Sequence, residues 1–338
     1  MLLVAVLPLA VQPGRAEATD PLRVLIIGDS VTHGTTGDWT WRYRLWEQFQ
    51  AAAVPVDFVG PRDDLFDIET GQAGSHGYLD PAFDQDHAAQ WGLSLGTLGT
   101  QIGDLVATYH PDVLVEMLGI NDIVFGDRTT TQVLDQLDDL VADARAADPD
   151  VDVVLVPPFQ QWFPGVPELD AALPGLAADL DGPASRVAAS DLVDSHVGPA
   201  DSWDGGHAAA TGELKIAVSV AAALGRIGVP VAFPDPPPVV ENGPPDPARL
   251  VLRRVGRHAV DLSWQLPLGA NQARMWQRDR TAGERWQRLP YAITARRWTA
   301  RHLVGGHLYT FRLQAAKGSA VAERVFSRVV RARTVTPR

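Results

Sequence analysis

The stretch Arg23-Val24-Leu25-Ile26-Ile27-Gly28-Asp29-Ser30 decides the fold, because an apolar run ends directly in a small polar block. A run of this kind, rich in β-branched residues, predicts a buried strand at 23–27. The pattern recurs at 112–117, where a second apolar run precedes the block Gly119-Ile120-Asn121-Asp122. Shorter runs predict three more strands, at 56–59, 152–156 and 186–189.

Helices are predicted between these strands. Four segments have apolar residues at spacings of three and four, as on one face of a helix: 41–52, 96–109, 131–147 and 208–224. Strands that alternate with helices in this way indicate a parallel sheet covered on both faces. Ligands of such sheets bind beyond the carboxyl ends of the strands, and both Ser30 and Asn121 lie at such an end.

Three polar blocks supply the groups of a serine hydrolase. Ser30 follows the first strand, and Asp204-Gly205-Gly206-His207 lies later in the chain. A serine hydroxyl becomes a strong nucleophile when an imidazole takes its proton, and the imidazole needs an orienting group on its other nitrogen. Three positions apart on a tight loop, Asp204 and His207 can face each other with Nε2 directed to Ser30. Each block alone is more often a turn, cap or loop, but their order and strand context indicate a hydrolase site.

The blocks resemble those of the SGNH (GDSL-type) hydrolases, and the likeness covers residues 23–224. Ser30 matches the nucleophile of that family, Asn121 its asparagine and His207 its histidine, with Asp204 three positions earlier. The resemblance implies a flavodoxin-like three-layer α/β fold. It also implies a Ser-His-Asp acyl-enzyme mechanism that needs neither cofactor nor metal.

The family has a further block that contains a glycine, and more than one glycine of this chain matches it. Gly92 is the best match, and Gly96 and Gly99 are close competitors. The donors for the ester oxygen would then be the Ser30 N–H, the Gly92 N–H and the Asn121 amide, which together form an oxyanion hole.

Within that family the likeness is greatest to the xylanase-associated acetylxylan esterases of carbohydrate esterase family three. The shared features are an aromatic-arginine pair, a short strand and an Asp-x-Asp-His stretch, which lie here at 41–42, 56–60 and 84–87. Two departures are Ala88-Ala89, where Glu-Gly is usual, and Ala208, where proline is usual. The resemblance implies a secreted deacetylase of acetylated polysaccharide. Two alternatives remain open: an esterase, lipase or acyltransferase acting on a small natural product or lipid, and an inactive binding or adhesion protein.

Other polar residues each allow two interpretations. Ser94 lies in a Gly-x-Ser-x-Gly pattern, but no core strand leads into it, so a helix-start serine is favoured over a nucleophile. His33 is expected in a surface loop, with substrate contact as the alternative. An acidic cluster lacks the regular spacing of a calcium loop and is expected to be a solvated face. Its members are Asp63, Asp64, Asp67, Glu69, Asp84 and Asp86.

The chain divides into segments of different composition. Residues 1–20 contain a short apolar run and a small-residue pattern, which predict a secretory leader. Residues 21–229 carry the hydrolase blocks, 230–247 form a proline-rich linker that disfavours helix, and 248–338 form a second domain. The chain has no cysteine, which excludes disulfides, and no uninterrupted apolar run of about 18 residues, so no membrane span is expected.

The second domain is predicted to be all-β. Its segments 259–264, 309–313 and 325–330 have the composition of strands. The stretch that leads to Tyr309 resembles the tyrosine corner of fibronectin type III domains, and Trp264 matches their core tryptophan. The resemblance implies a β-sandwich.

The two domains carry opposite charge. Residues 248–338 contain 18 arginines and one lysine against four acidic residues, a net +15, whereas residues 1–247 carry a net −27. So acidic a domain repels phosphate, and binding of nucleic acid is not expected. The basic module is predicted either to bind an anionic polymer or to dock on the acidic catalytic domain.

Overall fold

The computed structural model describes residues 20–99, 101–192 and 197–336. The predicted leader, residues 1–20, lies outside the described residues except for Asp20. The described chain forms an α/β unit followed by a β-sandwich.

The α/β unit alternates strands and helices from its first strand onward. Its elements are β1 Leu22–Gly28, α1 Ser30–His33, α2 Trp41–Ala51, β2 Val56–Val59, β3 Leu65–Asp67, β4 Gln72–Ser75, α3 Leu95–Leu98, α4 Gln101–Tyr109, β5 Val113–Met117, α5 Ile120–Val124, α6 Thr130–Ala147, β6 Asp152–Leu155, α7 Val166–Leu180, β7 Val187–Ala189, a 3₁₀ turn at Pro199–Asp201 and α8 Ala210–Arg226.

A parallel sheet of five strands forms the middle layer of this unit, in the order β2-β1-β5-β6-β7. Helices α2 and α8 pack together on one face, and α4, α6 and α7 lie on the other. Strand β1 is buried on both faces, since Val24 and Ile26 belong to one core and Leu25 and Ile27 to the other. The flavodoxin-like three-layer fold predicted from the sequence is confirmed.

Helix α7 and the antiparallel β3-β4 hairpin were not predicted from the sequence. Two prolines conceal α7: Pro167 lies in its first turn, where no N–H is needed, and Pro174 lies inside it. The helix forms nevertheless because Leu169 and Leu173 bury its apolar face. The predicted helix at 96–109 is divided into α3 and α4, because Gly99 takes a positive φ of 52° at the C-cap of α3.

The second unit is an antiparallel sandwich, as predicted. Its strands are β8 Arg249–Val255, β9 Ala259–Gln265, β10 Gln272–Asp279, β11 Gln287–Arg288, β12 Arg297–Arg301, β13 Leu308–Lys317, β14 Ala320–Val321 and β15 Val330–Arg333. One sheet has the order β12-β9-β8, and the other has the order β11-β10-β13-β14 with β15 paired to β13. Trp264 lies in the core between them, and the hydroxyl of Tyr309 accepts the Val304 N–H at 3.0 Å, which is a tyrosine corner.

The last strand begins later than predicted. The expected strand 325–330 is irregular up to Val330, where β15 starts. The Ser327 hydroxyl accepts the Leu313 N–H at 3.0 Å, so a side chain takes a bond that a regular ladder would give to a backbone carbonyl.

The segment between the two units, residues 227–248, contains no helix or strand. Its Asn242 side chain accepts the Thr211 hydroxyl at 2.8 Å and donates to the Ala200 carbonyl at 3.0 Å. These bonds attach the linker to the start of α8. Within the described residues, no helix has the combination of length and apolar character that crossing a membrane requires.

Candidate active site

Ser30 stands at the point where β1 ends and α1 begins. Asp29 is the N-cap of α1, and its Oδ1 accepts the Val31 N–H at 2.9 Å. Burial raises the pKa of Asp29 to about 6, although the bond from Val31 and the nearby His207 act in the opposite direction. As the first residue of the helix, Ser30 has a backbone N–H without an intrahelical partner. Gly28 is needed before it because an added Cβ would lie 2.2 Å from Thr32 Oγ1.

The structure brings His207 and Asp204 to Ser30 in one line of hydrogen bonds. Nε2 of His207 lies 3.0 Å from Ser30 Oγ, and its Nδ1 lies 2.8 Å from Asp204 Oδ2. The other Asp204 oxygen accepts the His207 N–H at 2.8 Å. Burial alone would raise the pKa of Asp204, but the hydrogen bond and charge of His207 and the backbone donors lower it to about 2. A carboxylate therefore faces Nδ1, and Nε2 is left to interact with the hydroxyl.

The loop that carries His207 is braced from the loop after β6. Gln160 donates from Nε2 to the Gly206 carbonyl at 2.7 Å, and Trp162 donates from Nε1 to the Gly205 carbonyl at 3.2 Å. Sequence reasoning missed both residues. The signal available was their place just beyond the carboxyl end of a predicted strand, where side chains reach the ligand side of the sheet.

The segment of Gly92 is held near Ser30 by hydrogen bonds to the end of β1 and to α5. The Gln90 N–H donates to the Gly28 carbonyl at 3.0 Å, and the Asn121 amide donates to the Leu93 carbonyl at 2.8 Å. Within the described residues, the Gly92 N–H has no hydrogen-bond acceptor. An amide nitrogen carries two hydrogens, so Asn121 keeps one donor beyond its bond to Leu93. The three predicted oxyanion donors thus come from segments that meet at the end of β1.

Asp122, which sequence reasoning left without a role, fixes the other end of the Gly92 segment. Its Oδ2 accepts the Leu95 N–H at 2.9 Å, and its Oδ1 accepts the Gly96 N–H at 3.0 Å. Ser94 is the N-cap of α3 and accepts the Thr97 N–H at 3.2 Å. The hydroxyl of Ser94 is thus used by the backbone of its own helix.

His33 corrects the expectation of a surface loop, because it is fully buried. Its Nδ1 accepts the Trp91 N–H at 3.1 Å, next to Gly92. Burial lowers the pKa of His33 to about 4, despite the nearby Asp64 carboxylate. The neutral imidazole therefore supports the backbone of the proposed oxyanion segment.

A buried group of His33, Asp64 and His87 has ligand atoms within 4.8 Å of one another, the spacing of a metal site. Both imidazoles, however, already use their lone pairs. His33 Nδ1 accepts from Trp91, and His87 Nδ1 accepts the Ala89 N–H at 3.0 Å. Each Nε2 therefore carries the proton, and neither imidazole offers a lone pair to a metal.

The acidic cluster is a solvated face only in part. Asp63, Glu69 and Asp86 are exposed, but Asp64 is buried and Asp84 is half-buried. Asp84 accepts the Phe58 N–H at 2.6 Å, and Asp64 bonds Arg62 at 2.8 Å. These two carboxylates are internal hydrogen-bond acceptors of the loops around β2 and β3.

In the aromatic-arginine pair at 41–42, Arg42 connects two segments by hydrogen bonds. Arg42 is fully buried, and its guanidinium donates to the Thr32 carbonyl at 3.0 Å and to the Gln85 carbonyl at 2.9 Å. It thereby ties the end of α1 to the segment that leads to His87.

Aromatic rings stack around the imidazole of His207. The ring centroid of Trp91 lies 4.5 Å from that of His207, with an interplanar angle of 22°. For Trp203 the centroid distance is 5.7 Å and the interplanar angle is 23°. Phe66 in turn stacks on Trp91 at 4.2 Å. His207 is therefore held within a stack of near-parallel rings as well as by hydrogen bonds.

The comparisons with known proteins agree with this geometry. Residues 26–212, more than half of the chain, match the model of the GDSL-like lipase/acylhydrolase family. A carbohydrate esterase of family 3 from Talaromyces cellulolyticus is 26% identical with a TM-score of 0.53, and the match covers 61% of this chain and 97% of that one. An acetyl esterase mutant with an acetate ion is also 26% identical, with a TM-score of 0.52 and coverage of 61% and 97%.

A family 3 carbohydrate esterase from Clostridium thermocellum is 22% identical, with a TM-score of 0.51 and coverage of 61% of this chain and 96% of that one. This likeness supports the fold. A comparison with curated protein sequences finds no match.

Proposed function

The chain belongs to the GDSL-like lipase/acylhydrolase family and is a serine ester hydrolase; we propose that Ser30 is its nucleophile, His207 its general base and Asp204 the group that orients the imidazole. The observation that carries the proposal is the continuous line from Asp204 through His207 to Ser30, with bonds of 2.8 and 3.0 Å. A hydroxyl, an imidazole and an ionised carboxylate in this arrangement are the parts of an acyl-transfer site.

In the first step, Ser30 Oγ attacks the ester carbonyl carbon while His207 Nε2 takes the hydroxyl proton. Negative charge develops on the carbonyl oxygen, where the N–H groups of Ser30 and Gly92 and the Asn121 amide donate to it. The C–O bond to the alcohol then breaks, and His207 returns the proton to the departing oxygen. Water repeats the sequence on the acyl-serine, which releases the acid and restores Ser30.

For the substrate, we propose an acetylated polysaccharide of the acetylxylan type. Two structures 26% identical to this chain are a family 3 carbohydrate esterase and an acetyl esterase. The His207 and Asp204 side chains are 24% and 30% exposed, so the site opens at the surface and can receive a bulky alcohol. Trp91 adds a half-buried aromatic ring beside the His207 imidazole.

The test is a substrate panel on the full chain. Acetate release from acetylated xylan should exceed that from the deacetylated control, and p-nitrophenyl acetate should react faster than the butyrate and octanoate esters. A preference for the longer acyl chains would favour the lipid or natural-product alternative. No hydrolysis of any ester would favour the inactive binding protein.

We further propose export of the protein, on the apolar run and the small-residue pattern within residues 1–20. N-terminal sequencing of the protein from the culture medium should then find a chain that starts near residue 20. Recovery of the intact N-terminus from the cell interior alone would contradict export.

A second proposal concerns the sandwich, whose surface we expect to bind an anionic polymer. Among the arginines at 248–336, only Arg296 and Arg324 lie within 4.0 Å of a carboxylate. Three of the others, Arg253, Arg297 and Arg301, line one shallow surface together with the exposed Tyr291. Unpaired positive charge beside an exposed aromatic ring favours a polyanion.

Co-sedimentation of the full chain with polygalacturonate tests this second proposal. We expect retention that falls steeply with salt, because exposed charges are screened, and little retention on neutral xylan. Changing Arg253, Arg297 and Arg301 together to glutamine should abolish it without altering hydrolysis of p-nitrophenyl acetate. Retention on neither polymer at any salt concentration would overturn the proposal.

A further inference from the structure

The sandwich contacts the loop of His207 at Trp203, a residue of the α/β unit. Trp203 immediately precedes the Asp204–His207 block, is 8% exposed, and stacks near-parallel to the imidazole. The backbone N–H of Trp203 also donates to the His207 carbonyl at 3.1 Å. Any group that fixes Trp203 therefore restrains both the ring and the backbone of His207.

A short hairpin of the sandwich holds the backbone of Trp203. Between β13 and β14, the Ser319 N–H donates to the Trp203 carbonyl at 2.7 Å, and the Ser319 hydroxyl lies 3.0 Å from the Ser202 carbonyl. Gly318 allows this approach because an added Cβ would lie 2.0 Å from the Trp203 carbonyl oxygen. Its φ of 52° is also one that glycine adopts without strain.

Lys317, the last residue of β13, holds the ring of Trp203. Its ammonium lies 4.9 Å from the ring centroid, in the range of a cation–π contact, and the residue is only 5% exposed. The same ammonium donates to Thr35 Oγ1 and Asp38 Oδ1, in the loop that follows α1. Lys317 thus links the loop next to the nucleophile with the loop that carries the base.

The ion pair of Lys317 with Asp38 lies near a third titratable group, the carboxyl of Glu213. Glu213 of α8 is buried, and its burial, together with the Asp38 charge, raises its pKa to about 8, although Lys317 acts in the opposite direction. Glu213 is therefore largely protonated at neutral pH, and Asp38 is the ionised partner of Lys317 at this contact between the units. Removal of Lys317 leaves Asp38 without its cationic partner.

We propose that Lys317 and the hairpin around it are positioning residues for His207, so that the sandwich is part of the catalytic apparatus. This inference rests on the proposed function of His207 as the base. Lys317 touches no reacting atom; it acts by pressing Trp203 against the imidazole, which keeps Nε2 at hydrogen-bond distance from Ser30. Small errors in the placement of a base are costly to rate, since proton transfer requires a near-linear, short contact.

The first test replaces Lys317 with methionine, which keeps the length of the side chain and removes its charge. We expect kcat on p-nitrophenyl acetate to fall about tenfold, in line with the loss of a partly desolvated cation–π contact, with KM nearly unchanged. The matched control is Arg296→Gln, which breaks the exposed ion pair with Glu69 at the same contact between the units and should leave kcat unchanged.

The second test places Lys317→Met in a His207→Ala chain. If Lys317 acts through the imidazole, it should leave the residual activity of the His207→Ala protein unchanged. An equal loss in both backgrounds would show a general structural effect and would overturn the inference. So would an unchanged kcat in the single Lys317→Met variant.

Trp203 provides a third test that does not depend on the buried lysine, in case Lys317→Met fails to fold. Trp203→Phe retains an aromatic ring for stacking and should keep most of kcat, whereas Trp203→Leu should lose about tenfold. Equal activity of the two variants would overturn the inference. Failure of the proposed Ser30–His207–Asp204 mechanism would be distinguishable from failure of this inference, because Ser30→Ala would then remain active.

Discussion

The two loops that meet at the active site are held in place by different means. The loop of Ser30 is fixed by its near neighbours: β1 delivers it to the sheet edge, and Asp29 caps the helix that follows through the Val31 N–H at 2.9 Å. The loop of His207 is fixed by distant residues, with Gln160 on one side and Ser319 of the sandwich on the other.

The difference shows which part of an active site is encoded locally. A strand, a cap and a helix start are short-range signals, so the proposed nucleophile can be found in eight consecutive residues. The position of the proposed base depends on contacts from distant parts of the chain, including those that join loop 202–207 to Ser319, more than 110 positions away. The Ser30 loop should therefore respond mainly to substitutions close to it in sequence, whereas the His207 loop should also respond to substitutions in the sandwich.

The largest effect is expected at the nucleophile. Ser30→Ala should lower kcat at least about a thousandfold, because it removes the hydroxyl that lies 3.0 Å from His207 Nε2. Ser94→Ala is the matched control and should keep most of the activity, since Ser94 caps α3. The reverse pattern, measured with p-nitrophenyl acetate, would transfer the nucleophile to the Gly92 segment.

The next effect is expected at the orienting carboxylate. Asp204→Asn should cut kcat about a thousandfold with little change in KM, because the amide does not hold the imidazole in the required tautomer. With the pKa of Asp204 lowered to about 2, its carboxylate stays ionised above about pH 3, so it adds no acid limb to the activity profile above that pH.

Asp201→Asn is the control for this carboxylate. Asp201 Oδ2 is bound by Lys215 at 2.8 Å. Unchanged turnover in Asp204→Asn together with a loss in Asp201→Asn would show that Asp201, and not Asp204, orients the imidazole.

A smaller effect is expected at the oxyanion donors. Asn121→Ala removes an amide that also bonds the Leu93 carbonyl, and we expect kcat to fall about a hundredfold, the usual range for one donor. KM should change less than kcat, because the donor acts on charge that develops only in the transition state. Wild-type kcat in Asn121→Ala would remove this residue from the site.

The smallest effect concerns stability beneath the site. Glu116 is buried, its Oε1 accepts the Leu118 N–H at 2.6 Å, and burial raises its pKa to about 8. The folded chain thus holds a proton that the unfolded chain releases above about pH 4.5, so stability falls as the pH rises from there to about 8.

Glu116→Gln keeps an acceptor for Leu118 and removes this titration. Urea unfolding of the variant should show a weaker loss of stability between pH 4.5 and 8, and at pH 8 the variant should be more stable than the native chain. Part of the slope should remain, because the pKa of buried Glu213 is also raised to about 8. Identical slopes would show that Glu116 ionises freely.

Most of the α/β fold could be predicted from the sequence because its strands are short apolar runs that end in polar blocks. Helix α7 was missed because Pro167 and Pro174 obscure a pattern that burial of Leu169 and Leu173 enforces. The residues proposed as nucleophile, base and orienting group could be named for the same reason as the strands, since each lies in a compact motif.

The surroundings of those residues could not be predicted. A single histidine three positions after Ser30 gives no sign that it is buried, and His33 accepts a hydrogen bond from Trp91, a residue 58 positions away. The contact of Lys317 with Trp203 and Asp38 likewise joins the two domains, and the opposite charges in the sequence indicated docking as one of two alternatives without naming the residues in contact. Such contacts depend on how the units pack and leave no local pattern.

The most direct test of the central claim is covalent labelling of the nucleophile. A fluorophosphonate should modify the native protein once, and peptide mass spectrometry should place the adduct on Ser30. Labelling should be lost in Ser30→Ala, slowed strongly in Asp204→Asn and retained in Ser94→Ala. An adduct on Ser94 or on another serine, or none at all in an active enzyme, would contradict the account.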